Sequence, residues 1–208
     1  MTVESELPES VVTTVEPSGG IPEVVIRSRR AQPFFGRHPW VFAGAVERIV
    51  GAGQGVVAPG TVVRVVSFEG KFVAWGLYNA QSRILVRLYS WKESEPLGTE
   101  LWLDRIRIAV QSRRALFDLT SDAVGCRVVF SESDGLSGLT VDYYGGWLLV
   151  QFTSLALFQH RESIVESLQS ELHPRGIWLR TEKGIREAEG LEAADGLISG
   201  QEPPTSVH

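Results

Sequence analysis

The chain has 208 residues, 43% hydrophobic and 22% charged, which excludes a fibrous or fully disordered polymer and fits one large or two small globular domains. No apolar run approaches the roughly 18 residues that would span a bilayer, and the single Cys126 excludes an internal disulfide framework and suits a reducing cytoplasm. The net charge of −5 is unevenly spread: residues 1–21 hold four acids and no base, residues 22–92 hold ten Lys/Arg against three Asp/Glu, and residues 93–208 hold ten against eighteen.

Residues 1–21 mix Glu, Ser, Pro, Thr and Gly without an apolar face, and the reading is a disordered tail with no secretory signal. From residue 22 short β-branched runs predict strands over residues 23–27, 56–57, 61–68, 72–77 and 84–89. Glu69-Gly70-Lys71 turns one hairpin, and Gly51-Ala52-Gly53-Gln54-Gly55 is a hairpin connection, since no helix or Gly-Lys-Ser/Thr follows it as a phosphate loop requires. In the last strand Ile84, Val86 and Leu88 alternate with Leu85, Arg87 and Tyr89, so one set is expected to face inward and the other outward. Many short strands punctuated by glycine argue for a small β-barrel-like domain over residues 22–92, with 93–98 as a linker.

A helix is predicted over residues 99–117, with Leu101, Ile106, Ile108 and Leu116 on one face and arginines on the other. Strands follow at 127–130, 139–141 and 147–152, joined by Asp134-Gly135, Ser137-Gly138 and Gly145-Gly146. A second helix at 155–172 is stopped by His173-Pro174, and a strand covers 177–181. The strand, strand, helix, strand order predicts a compact α/β domain over residues 99–200, making the chain α+β as a whole.

The basic excess in residues 22–92 points to a nucleic-acid partner. Within it, Arg37-His38-Pro39-Trp40-Val41-Phe42 is the densest block: Pro39 biases His38 to an extended conformation, and Trp40 and Phe42 are expected in the core. Arg37 and His38 are left at the rim as phosphate or base-edge donors. Glu132, Asp134 and Asp142 fall in a turn-rich stretch and are read as turn chemistry rather than a metal or acid–base cluster. Cys126 is read as a buried structural residue. The four histidines (His38, His160, His173 and His208) lack zinc-ligand spacing.

Three blocks carry a resemblance. Arg37 to Ala45, Arg-His-Pro-Trp-Val-Phe-Ala-Gly-Ala, is similar to the opening of the PUA domain of RlmI-type ribosomal RNA methyltransferases. Residues 75–88, Trp-Gly-Leu-Tyr-Asn-Ala-Gln-Ser-Arg-Ile-Leu-Val-Arg-Leu, resemble its close. Residues 132–142 are similar to that family's Glu-Ser-Asp-Gly-Leu-Pro-Gly-Leu-Thr-Val-Asp, with Ser137 in place of Pro. Residues 179–191 resemble a further block ending Glu-Gly-Leu, from which Thr181-Glu182 departs. The resemblance implies a PUA-like β pseudo-barrel that binds RNA, followed by the family's central α/β domain. On charge and position within these blocks, Arg29, Arg30, Arg37, His38, Lys71, Ser82, Arg83 and Arg87 are the candidate RNA contacts. It further implies ribosomal RNA as partner and methylation of a cytosine at C5. S-adenosylmethionine and the catalytic cysteine are expected outside these residues, in a domain reached through a connector at 201–208 or encoded separately. The expectation for this chain is therefore no cofactor of its own. The alternative is a stand-alone RNA-binding or protein-interaction module.

Overall fold

The computed structural model describes residues 20–51 and 57–204, which fall into two units divided between Pro96 and Leu97. Most of the 1–21 tail, the glycine run at 52–55 with Val56, and the end of the connector lie outside the described residues.

The first unit is a six-stranded sheet with one short helix. Its elements are β1 (Glu23–Ile26), α1 (Gln32–Phe35), β2 (Trp40–Phe42), β3 (Val46–Val50), β4 (Val62–Val66), β5 (Phe72–Tyr78) and β6 (Ile84–Ser90). The order across the sheet is β2-β6-β5-β4-β1-β3; β1 and β4 are parallel and the remaining pairs antiparallel. The two edge strands, β2 and β3, are consecutive in the chain and joined only by the 3₁₀ turn Ala43–Ala45. Six flat strands would set those edges about 24 Å apart, whereas that link reaches about 14 Å at most. The sheet therefore curls. Val24, Ile26, Val41, Val63, Val65, Val86 and Leu88 fill its inside, with Phe34 of α1 added.

Three features here depart from the sequence expectation. The helix α1 follows a start-and-stop signal of Pro33 just inside and Gly36 just beyond, in a segment with no strand or helix expected. Strand β3 is additional, its pairing with β1 interrupted by a register shift that breaks the alternation a sequence reading relies on. Val57 is buried but lies in no strand.

The second unit holds α2 (Thr99–Arg114), β7 (Gly125–Phe130), β8 (Leu139–Tyr144), β9 (Trp147–Phe152), α3 (Leu155–Phe158), α4 (Arg161–Leu172), β10 (Gly176–Arg180), α5 (Lys183–Glu189) and β11 (Gly196–Gly200). Its sheet runs β11-β10-β9-β8-β7, with β9 and β10 the one parallel pair. Trp102, Ile106 and Val110 of α2 and Ile164 and Leu168 of α4 are buried, and α2 packs against α4 and β7. The single helix expected at 155–172 is two: the chain breaks at Gln159-His160, where the His160 ring lies 5.9 Å from that of Trp102. His173 then adopts φ 47°, and Pro174 ends helical continuation. Three strands, β7 to β9, lie between α2 and α3, and β11 closes the sheet beyond the expected last strand.

Candidate nucleic-acid interface

The cations of the first unit divide by whether an acid neutralises them. Arg64 donates to Glu23 at 2.5 Å and to Glu93, and those carboxylates, Glu93 foremost, raise its guanidinium above the ordinary value. Arg27 pairs with Glu47 at 3.7 Å and Lys92 with Glu95 at 2.8 Å. Arg29, Arg30, Arg37, Arg83 and Lys71 are exposed, and among the described residues none has an ion pair. These unneutralised cations are five of the eight candidate contacts.

Two of them hold backbone conformations that favour glycine. Arg37 has φ 67°. Its N–H donates to the Phe34 carbonyl and the His38 N–H to the Pro33 carbonyl, both at 3.0 Å, the paired bonds of a Schellman cap on α1. Arg37 thus stands at the left-handed position where glycine is the usual choice. Arg29 has φ 62° and occupies the third position of the turn closed by the Arg30 N–H on the Arg27 carbonyl at 3.0 Å, again a place for glycine or asparagine. Left-handed backbone at a non-glycine residue costs roughly 1–2 kcal/mol. Such strain gathers at functional positions.

Around Arg37 the side chains form an aromatic run. The exposed His38 ring sits edge-on to Phe34 at 6.3 Å and to Trp40 at 6.0 Å, and its Nδ1 accepts the Trp40 N–H at 3.3 Å. The Lys71 ammonium lies 5.2 Å over the Phe35 ring, which places the β4–β5 turn beside α1. Trp91 Nε1 donates to the Phe34 carbonyl at 2.7 Å and ties the end of β6 to the same helix.

Ser82 and Arg87 are placed differently, at 7% and 6% exposure. Ser82 Oγ accepts the Ile84 N–H at 3.1 Å and shapes the turn that displays Arg83. Arg87 pairs in the ladder with Trp40 and with Leu77, inside the sheet beneath the Arg37-His38-Pro39-Trp40 segment. The expected outward register of Arg87 does not arise because both faces of β6 are covered: it is buried from Leu85 to Ser90. The aromatic expectation also shifts. Val41 is buried, but Trp40 is only half-buried and Phe42 is 46% exposed. Phe42 is a surface residue that the sequence reading assigned to the core.

In the second unit the acidic residues are engaged structurally. Arg113 grips both oxygens of Asp134 at 2.6 and 2.7 Å, and Asp134 also accepts the Phe130 N–H at 2.6 Å. Glu132 accepts from Ser137 Oγ at 2.7 Å, and Arg127 holds Asp142 at 2.8 and 3.0 Å. Gly135 adopts φ 70° in this turn. Among the described residues no group of three or more His, Cys, Asp or Glu is placed to hold a metal. Cys126 is half-buried on β7, and burial pushes its thiol up, the opposite of an activated nucleophile.

The parallel crossover from β9 through α3 and α4 to β10 has the connectivity in which a nucleotide cofactor would meet a helix N-terminus. The buried Ser154 caps α3 by accepting the Leu157 N–H at 3.3 Å, and the buried Glu189 accepts the Leu155 N–H at 3.4 Å. Those donors are spent inside the fold, beside a carboxylate.

Comparison with known proteins agrees with this geometry. Residues 24–91 match the model of a PUA-like domain. The chain is 32% identical to ribosomal RNA large subunit methyltransferase I of Erwinia tasmaniensis over 181 residues, covering 87% of this chain and 44% of that protein. It is 32% identical to the enzyme of the same name from Photobacterium profundum, covering 82% and 42%, and 31% identical to that of Salmonella arizonae, covering 88% and 44%. A solved structure assigned as a SAM-dependent methyltransferase from Streptococcus mutans superposes with a TM-score of 0.66 at 18% identity, over 88% of this chain and 44% of that one. Another with the same TM-score and identity was solved with SAH bound. The chain spans less than half the length of the curated relatives it matches. Residues 24–91 form a PUA-like domain, and over the matched residues the chain is a homologue of part of the proteins named ribosomal RNA large subunit methyltransferase I.

Proposed function

We propose that this chain is the RNA-recognising portion of a large-subunit ribosomal RNA methyltransferase and is not catalytic by itself. Residues 22–92 engage ribosomal RNA, residues 93–98 link, and residues 99–200 form the central domain that precedes the catalytic part. The observation that carries the reading is the set of exposed cations without an acid, Arg29, Arg30, Arg37, Lys71 and Arg83, in a domain whose relatives are named for ribosomal RNA. His38 adds a ring and a donor to that set, while Ser82 and Arg87 support it from within. Arginines beside an exposed aromatic ring supply both needs of RNA recognition, charge for the phosphates and flat faces for the bases.

On this reading, cytosine C5 methylation with S-adenosylmethionine takes place on residues outside this chain, in a cytoplasmic enzyme. The spent helix donors at α3 support that assignment. Binding to a ribosomal RNA fragment, followed by fluorescence anisotropy across a salt series, tests it. Arg37→Ala with Arg83→Ala is expected to weaken binding at least tenfold at low salt and to flatten the salt dependence. Affinity that ignores both salt and the double substitution would sink the proposal.

A further inference from the structure

We propose that the outward face of β2, carrying Trp40 and Phe42 with His38 beside them, is a stacking surface for unpaired bases. This rests on the RNA-binding reading above and narrows its ligand to single-stranded rather than duplex RNA.

Exposure along an edge strand sets the surface. Val41 is fully buried, whereas Trp40 before it is half-buried and Phe42, beyond the register shift in the pairing with β6, is exposed. Phe42 is 46% exposed, and Trp40 extends the face back to the His38 ring 6.0 Å away. Because β2 is the edge of the sheet, no further strand among the described residues pairs with its free side.

Unneutralised charge brackets this strip. Arg37 lies three residues before Trp40. Arg83 immediately precedes Ile84, the ladder partner of Phe42. Antiparallel pairing therefore puts one arginine near each end of the aromatic face. An exposed phenylalanine alone would fit a protein contact equally well. Between two arginines without acids, in a segment with ten Lys/Arg against three Asp/Glu, the complementary surface is a polyanion with flat apolar faces. A duplex offers phosphates but keeps its base faces stacked inside, so only unpaired nucleotides use the rings and the cations together.

The test compares binding of the full chain to a fluorescein-labelled unstructured RNA oligonucleotide and to the same sequence annealed as a duplex. Wild type, Phe42→Ala and Phe42→Trp are measured at two salt concentrations. One stacked base contributes about 1–3 kcal/mol, so Phe42→Ala is expected to weaken single-strand binding about 5- to 150-fold with the salt slope unchanged. Phe42→Trp is expected to retain binding, which separates loss of an aromatic face from loss of folding. Equal single-strand affinity for wild type and Phe42→Ala, or tighter binding of the duplex, overturns the stacking surface and leaves the RNA-binding reading standing. Binding to neither RNA removes both, and the face is then a protein contact.

Discussion

Arg37 and Arg29 sit where a glycine would relax the backbone, at φ 67° and 62°. A residue kept there against that cost is explained by what its side chain does, since neither guanidinium has an ion pair among the described residues. Stability and binding are therefore expected to respond in opposite directions. Arg37→Gly removes left-handed strain of roughly 1–2 kcal/mol and adds unfolded-state entropy of roughly 0.5–1 kcal/mol. Its thermal midpoint is expected to equal or exceed that of the parent, while RNA affinity falls and the log–log salt slope drops by about 0.7, one phosphate contact. A lower midpoint with unchanged affinity would mean that Arg37 is structural. Calorimetry and anisotropy on the same preparation read both quantities.

Between elements, close approach governs the first unit and polar ties the second. A Cβ on Gly76 of β5 would lie 2.5 Å from Val86 Cγ1 and 2.8 Å from the Arg87 carbonyl oxygen of β6. Because backbone is one of the obstacles, Gly76→Ala is expected to destabilise the chain by about 1–3 kcal/mol in urea unfolding. In the second unit, Thr181 at the end of β10 donates its N–H and its hydroxyl to Asp195 Oδ1 at 2.7 and 2.6 Å, fixing the return into β11. The hydroxyl bond first, then the backbone N–H, lowers the Asp195 carboxyl below its ordinary value. A depressed native value stabilises above the unfolded pKa, about 3.9, and that contribution is lost as pH falls through the native value. The stability gap between wild type and Asp195→Asn is thus expected to be constant near neutrality and to shrink below about pH 4. A gap that stays constant down to lower pH would contradict the link.

Across the whole molecule, charge is sorted along the chain. Residues 22–92 carry the basic excess and residues 93–208 the acidic one. In the second unit several acids are held by arginines of the same unit, as with Arg113 on Asp134, Arg127 on Asp142 and Arg107 on Glu171 at 3.0 Å. Among the described residues, exposed cations without an ion pair are concentrated in the first unit, with Arg29, Arg30, Arg37, Lys71 and Arg83 there against Arg114 and Arg180 in the second, so the net charge of −5 does not forbid RNA binding. For a single strand, the slope of log affinity against log salt is roughly −0.7 per neutralised phosphate. The five exposed cations without an ion pair in the first unit set its expected range. No helix among the described residues is long and apolar enough to cross a membrane.

Much of this was legible in one dimension, because local patterning carries it. The β-branched runs marked β4, β5 and β6, and the Asp134-Gly135 turn declared its own chemistry. The helix at residue 99 was legible but not its face, since Trp102, Ile106 and Val110 are buried while the expected Ile108 and Leu116 are exposed. Charge segregation and the Arg37-His38-Pro39-Trp40 block pointed to RNA. What the tertiary structure decided is which side of each strand is inside. Arg87 alternates like an outward residue, yet β6 lies between β2 and β5 with both faces covered, so it is buried. Phe42 reads like a core residue, yet it sits on the outer face of an edge strand and is exposed. Alternation fixes relative facing within a strand, but which face meets solvent depends on sheet order, and sheet order is set by residues distant in the chain.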